Sequence, residues 1–253
     1  MSDEEKNKIK ELLKKVSSQT SPEEMAILKK DFKETIKDAN PLVIAMAEAE
    51  MIKEGGTIED LMKACDVHLE LFKDVIRNPN LKVPDGHPVR NFQDDHRNIL
   101  KLMEKLIDEI KIAKKVGNYE DGKTEIRMIV KLGEKLMEAE NHNVRQENTL
   151  FPVLEKHGIE QPPAIMWADH TEMKELKKGL LNLARNTGAG NYMPSLEKLA
   201  QMAVLLLEKF GSHTQKEENI LYVTALNVIT EQEWKDIKEE CDNLGYFKPG
   251  ISL

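Results

Sequence analysis

The stretch HNVRQENTLF, residues 142–151, returns in the same frame as HTQKEENILY at residues 213–222. Each opens on a histidine, leaves four residues, continues Glu-Asn, and after one further residue closes on Leu and an aromatic. The repeat sets a histidine and carboxylates on otherwise apolar segments. Buried carboxylates are expensive unless they are paired, hydrogen-bonded or bound to a metal, so both stretches ask for a compensating partner.

Working outward, the residues leading into both stretches recur at helical spacing: Leu132, Leu136 and Met137 before His142, and Met202, Leu206 and Phe210 before His213. Two more segments carry a histidine on an apolar stripe. In one, His96 lies with Phe92, Ile99, Met103, Leu106 and Ile110; in the other, His170 lies with Met166, Met173, Leu180 and Ala184. At about 1.5 Å of rise per residue, the roughly 20 residues from His96 to the following turn match the number from that turn back to His142. Similar arithmetic returns His213 to the level of His170. The expected fold is therefore all-α: a four-helix up-down-up-down bundle with one inward histidine per helix in a common layer.

The bundle is expected to span residues 85–246, with an extra C-terminal helix announced by the capping box Thr230-Glu231-Gln232-Glu233. The second bundle helix is expected to run from about Thr124 toward Gly158, with Pro152 kinking or tightening its last turns. Residues 1–80 read as a separate small helical domain. Its start signals are Ser21-Pro22-Glu23-Glu24, Asn40-Pro41 and Thr57 after Gly55-Gly56, and it stops at Asn78-Pro79-Asn80.

Composition narrows the function classes. Charged residues make up 32% of the 253 and aromatics 5%, a helix-favouring mix, and the net charge of -8, with lysines alternating with glutamates, argues against nucleic acid as a partner. No apolar run long enough to span a bilayer and no signal-peptide core is present, so the expected site of action is the cytoplasm, away from the membrane. The two cysteines, Cys65 and Cys241, form no CxxC pair and predict neither a disulfide framework nor a zinc ribbon.

A histidine on an apolar stripe is ordinarily a core side chain bonded to a backbone carbonyl. Four at one level, two of them followed by acids, point to a metal. The acid common to both stretches is five residues after the histidine, Glu147 in one and Glu218 in the other. That spacing turns it about 100° past the position sharing the histidine's face, unless a π-bulge brings it inward. At the four-residue position stand Gln146 and Glu217, which leaves Glu217 as the substitute for Glu218. Imidazoles with bridging carboxylates and no thiolate suit iron, with manganese or zinc behind it, and this many donors suit two ions better than one.

The motifs DDHRNIL, HNVRQENTLFP, MWADH and HTQKEENILY, in this order, resemble those of hemerythrin-like HHE cation-binding domains over about residues 85–228. Upstream, SPEEMAILKKDFKETI, NPLVIAMAEAEMIKEG and CDVHLELFK are similar to a helical domain of unknown function fused ahead of such domains. The resemblance implies a non-haem di-iron site with His96, His142, His170 and His213 as terminal ligands and Glu147 with Glu218, or Glu217, bridging. In the family's last helix the five-residue spacing occurs; in its second helix four is usual, and here that position is Gln146. Oxygen-carrying hemerythrins have a further histidine one turn after the third-helix ligand, and here that position is Lys174. The departure brings the chain closer to hemerythrin-like proteins linked to nitric-oxide stress and repair of iron centres.

Other residues have two readings each. His87 could cap the site mouth or simply start a helix; Lys174 could face the site as a cation or snorkel to solvent; Tyr222 could bond near the metals or fill the core. Cys65 and His68 have a C-x-x-H spacing without further ligands nearby. The expected function is binding or sensing of O2, NO or iron, with the N-terminal domain meeting a protein partner. The alternatives are an enzyme reducing O2, peroxide or NO with an external electron donor, and a structural interaction module. No flavin, dinucleotide, haem-attachment or CxxC motif supplies electrons within the chain, which favours binding over turnover.

Overall fold

The computed structural model describes residue 81, residues 83–248 and residue 250, together with Asn7, Glu11, Ile27 and Lys30. The helix starts expected at Ser21, Asn40 and Thr57, and the Cys65 and His68 pair, lie outside the described residues. The helices, in order, are α1 Pro88–Val116, α2 Lys123–Glu138, α3 Glu140–Arg145, α4 Phe151–Lys156, α5 Gln161–Arg185, α6 Tyr192–Lys216, α7 Tyr222–Val228 and α8 Glu231–Leu244. Two π-helical segments, Gln146–Leu150 and Glu217–Leu221, interrupt the long runs, and among the described residues there is no strand. The fold class is all-α.

By compactness the chain divides into two units, one of residues 83–150, 168–211 and 234–253, the other of residues 1–82, 151–167 and 212–233. In the first, α1, α2, α5 and α6 share a single apolar core. Ile99, Leu102, Leu106 and Ile110 of α1 meet Ile129, Leu132 and Leu136 of α2, Met173 and Leu180 of α5, and Leu199, Leu206 and Phe210 of α6. Short connections at residues 117–122, 157–160 and 186–191 turn each helix back on the last, which makes the arrangement an up-down-up-down four-helix bundle.

Local chemistry fixes the helix ends. His87 is the N-cap of α1: its Nδ1 accepts from the Val89 N–H at 3.2 Å, and Pro88 occupies the first helical position. Gly117 closes α1 in the left-handed region at φ 80°, its N–H bonded to the Ala113 carbonyl. Tyr192 donates to that same carbonyl at 2.9 Å and packs so close to Gly122 that a Cβ there would lie 1.9 Å from its hydroxyl oxygen. Gly122 is needed for that approach.

The second bundle helix departs from the single run expected from Thr124 to Gly158. It breaks at Ala139, resumes as α3, and passes through a π segment at Gln146–Leu150 before α4. Pro152, two residues beyond the π segment, has no N–H to offer the carbonyl of Asn148, so a rung is lost there whatever the backbone does. The π segments fall in the two repeated frames, where the sequence spacing requires a bulge.

In the second unit, α8 begins with the anticipated capping box. Thr230 N and Oγ1 donate to Glu233 Oε2 at 3.0 and 2.9 Å, and Glu233 N donates to Thr230 Oγ1 at 3.3 Å. His157 Nε2 lies 2.9 Å from the same carboxylate. The Thr230 N–H and then His157 hold the Glu233 acid down at about 2, against an ordinary 4.5.

Two outcomes follow. Leu132 has no exposed surface, so Leu132→Ala is expected to destabilise the metal-free protein by about 2–5 kcal/mol in denaturant titration. Because the folded acid is depressed, the stabilisation from Glu233 is fully present above pH 4.5 and is lost as pH falls toward 2. Glu233→Gln is expected to lower stability at neutral pH and to flatten its pH dependence across that window.

Candidate metal centre

α1 and α3 bring His96 and His142 together, their ring centroids 4.8 Å apart and both residues buried. Phe92 meets the His142 ring edge-on at 5.5 Å, and Phe210 meets His96 in the same way at 6.1 Å, which gives the imidazoles an apolar surround. His142 Nδ1 lies 3.3 Å from Asp95 Oδ2, and that carboxylate also forms an ion pair with Arg145. Burial alone would raise the Asp95 acid, but the hydrogen bond and charge of His142, with Arg145, outweigh it and hold the acid below its ordinary value. An acceptor at Nδ1 puts a proton there and makes Nε2 the nitrogen that would face a cation.

Arg145 itself has no exposed surface and lies between the Phe92 and Tyr246 rings, 5.3 and 4.7 Å from their centroids. Its Nε donates to Asn141 Oδ1 at 3.0 Å, and Asn141 in turn donates to the Leu244 carbonyl. A hydrogen-bonded scaffold thus stands behind His142. In the π segment that follows, Gln146 Nε2 lies 3.1 Å from His142 Nε2, and Glu147 Oε1 lies 2.8 Å from His170 Nδ1 of α5. The wider π backbone turns both the four- and five-residue positions inward.

In the other unit, α6 carries His213 into the second π segment. His213 Nε2 lies 3.2 Å from Glu217 Oε1, both residues fully buried, and the Tyr222 hydroxyl donates to Glu217 Oε2 at 3.2 Å. Glu217 stands four residues after its histidine, as Gln146 does, and the two contacts are equivalent within the repeated frame.

The donors form two triads. His96, His142 and Glu217 make one, and His170, His213 and Glu217 the other; within each, one ligand atom per residue lies within 4.8 Å of the others. Glu217 belongs to both. Of the residues singled out in the sequence, the four histidines fall in these triads; Glu147, which reaches His170, and the half-buried Glu218 are in neither. His87 is a helix cap stacked on Trp234 at 4.5 Å, and Lys174 is exposed. Buried imidazole and carboxylate donors with no thiolate among them suit a divalent transition-metal ion.

Three partners leave almost no local signal in the sequence. Asp95 and Arg145 sit 50 residues apart, and their only sequence signals are an acid next to His96 and an arginine one turn after His142. The third is Lys177, buried on α5 and bonded to Glu140 at 2.7 Å, just before the His142 turn.

Comparison with known families assigns residues 87–225 to the hemerythrin HHE cation binding domain and residues 9–78 to a family of unknown function, DUF438. Among curated proteins none matches the chain.

Removing one partner of a buried ion pair leaves the other charge stranded. Arg145→Met is therefore expected to destabilise the fold by about 3–5 kcal/mol, and the double change with Asp95→Leu to recover most of that loss, as read by thermal melts of the metal-free protein.

Proposed function

The chain belongs to the hemerythrin HHE cation binding domain family, and from that premise we propose that it is a non-haem di-iron protein that binds or senses O2, NO or iron. The observation that carries this reading is Glu217, a buried carboxylate common to two imidazole triads. A carboxylate so shared suits a bridge between two ions, with His96 and His142 holding one and His170 and His213 the other. Glu147, beside His170, supplies the second carboxylate. Iron bound there would supply a redox-active pair of Lewis-acid centres open to a diatomic gas.

The residues around these donors orient them. Asp95 fixes the His142 tautomer and ring, and the Tyr222 hydroxyl holds Glu217 by one oxygen. Phe92 and Phe210 exclude water from the His96 and His142 side. Buried apolar walls of this kind strengthen the attraction between ion and carboxylate.

We assign the reading to a two-part chain. Residues 85–246 would carry the metal site, and residues 1–80, matched over 9–78 by a family of unknown function, would be the part that a protein partner meets. Among the described residues no helix is long and apolar enough to cross a membrane. Together with the acidic net charge of -8, this supports a cytoplasmic protein that does not engage nucleic acid.

The test is iron content and absorption of the full chain purified without oxygen, before and after exposure to O2 and then NO. About two irons per chain and new near-ultraviolet or visible bands are expected; one zinc, or no metal and no spectral change, would contradict the reading. Spectral reversal on gas removal marks a sensor, and steady gas consumption an enzyme. His142→Ala and His213→Ala are expected to lower iron content well below wild type, whereas His87→Ala, altering a helix cap, leaves it near normal.

A further inference from the structure

The two repeated frames are not chemically equal. Gln146 and Glu217 occupy the same frame position, and their side chains make the same contact with their own histidine, 3.1 Å from His142 Nε2 and 3.2 Å from His213 Nε2. One is a neutral amide and the other a carboxylate. Gln146 has no exposed surface.

The second carboxylate does not restore the balance. Glu147 lies against His170, the residue of the triad that already holds His213 and Glu217. Asp95, behind His142, is neutralised by Arg145, so it orients the imidazole without adding net negative charge. Glu217 is common to both positions, but the carboxylate against the His170 ring, Glu147, keeps its charge, whereas the one against the His142 ring, Asp95, is paired with Arg145. Affinity for a divalent ion rises with the number of anionic donors, most strongly where water is excluded.

We propose that Gln146 makes the dinuclear centre unequal: the position at His170 and His213 fills first and holds its ion, and the position at His96 and His142 fills second and exchanges. This rests on the di-metal reading above.

The experiment is an oxygen-free titration of the metal-free full chain with Co(II), followed by calorimetry and absorption. Wild type is expected to bind two ions in separate steps at least about tenfold apart, the lower end of what changes around metal ligands do to affinity. Gln146→Glu is expected to tighten the second step by about tenfold and draw the two together. A buried glutamate is able to destabilise the metal-free fold, so Glu147→Gln provides an independent check by weakening the first step and narrowing the gap from the other side. Two equal steps in wild type, or variants that fold and leave both steps where they were, would overturn the inequality while leaving the dinuclear centre standing. Uptake of a single Co(II) would instead remove the dinuclear reading, and this inference with it.

Discussion

Glu217 is a carboxylate with no exposed surface, in reach of imidazoles from His96, His142, His170 and His213. An ionised carboxylate in such a place demands strong compensation. The bundle accepts that demand where it could have placed a leucine, as the neighbouring stripe positions do. A divalent cation held by the carboxylate and the imidazoles would meet it and give this buried layer a purpose. The rest of the structure can be understood as what keeps that layer in place.

Two devices do so. The π segment at Gln146–Leu150 opens the backbone where the helix would otherwise carry Glu147 past the histidine's face, so that Gln146 reaches His142 and Glu147 reaches His170. Behind the imidazoles, a carboxylate, a guanidinium and two aromatic rings hold His142, while a tyrosine hydroxyl holds Glu217. Outer partners of this kind fix ring orientation and tautomer before any ion arrives. They also distinguish the two halves: the Asp95 and Arg145 pair stands behind His142.

Much of this was legible in the sequence because helical periodicity is a strong signal. His96, His142, His170 and His213 each sat on an apolar stripe, and chain length between turns placed them at one level; the structure gathers all four. The bulge needed by Glu147 was also legible, since five residues do not share a helical face. What could not be read was the register beyond the bulge. In the last long helix the π segment begins at Glu217 itself, so the α-helical turn from His213 is complete there and Glu217 already faces inward. Where a bulge begins depends on packing over many residues. Asp95 with Arg145, and Lys177 with Glu140, join helices distant in sequence, and no local spacing encodes such a pair. His87 shows the opposite case, a histidine next to a proline whose helix-starting role was readable from position alone.

The central claim, that one buried carboxylate joins two imidazole pairs around two ions, is tested most directly by anomalous diffraction from crystals of the full chain loaded with Fe(II) without oxygen. The account predicts two iron peaks, one on His96 and His142 and one on His170 and His213, with Glu217 between them. A single peak, or iron anywhere other than these four histidines, would contradict it.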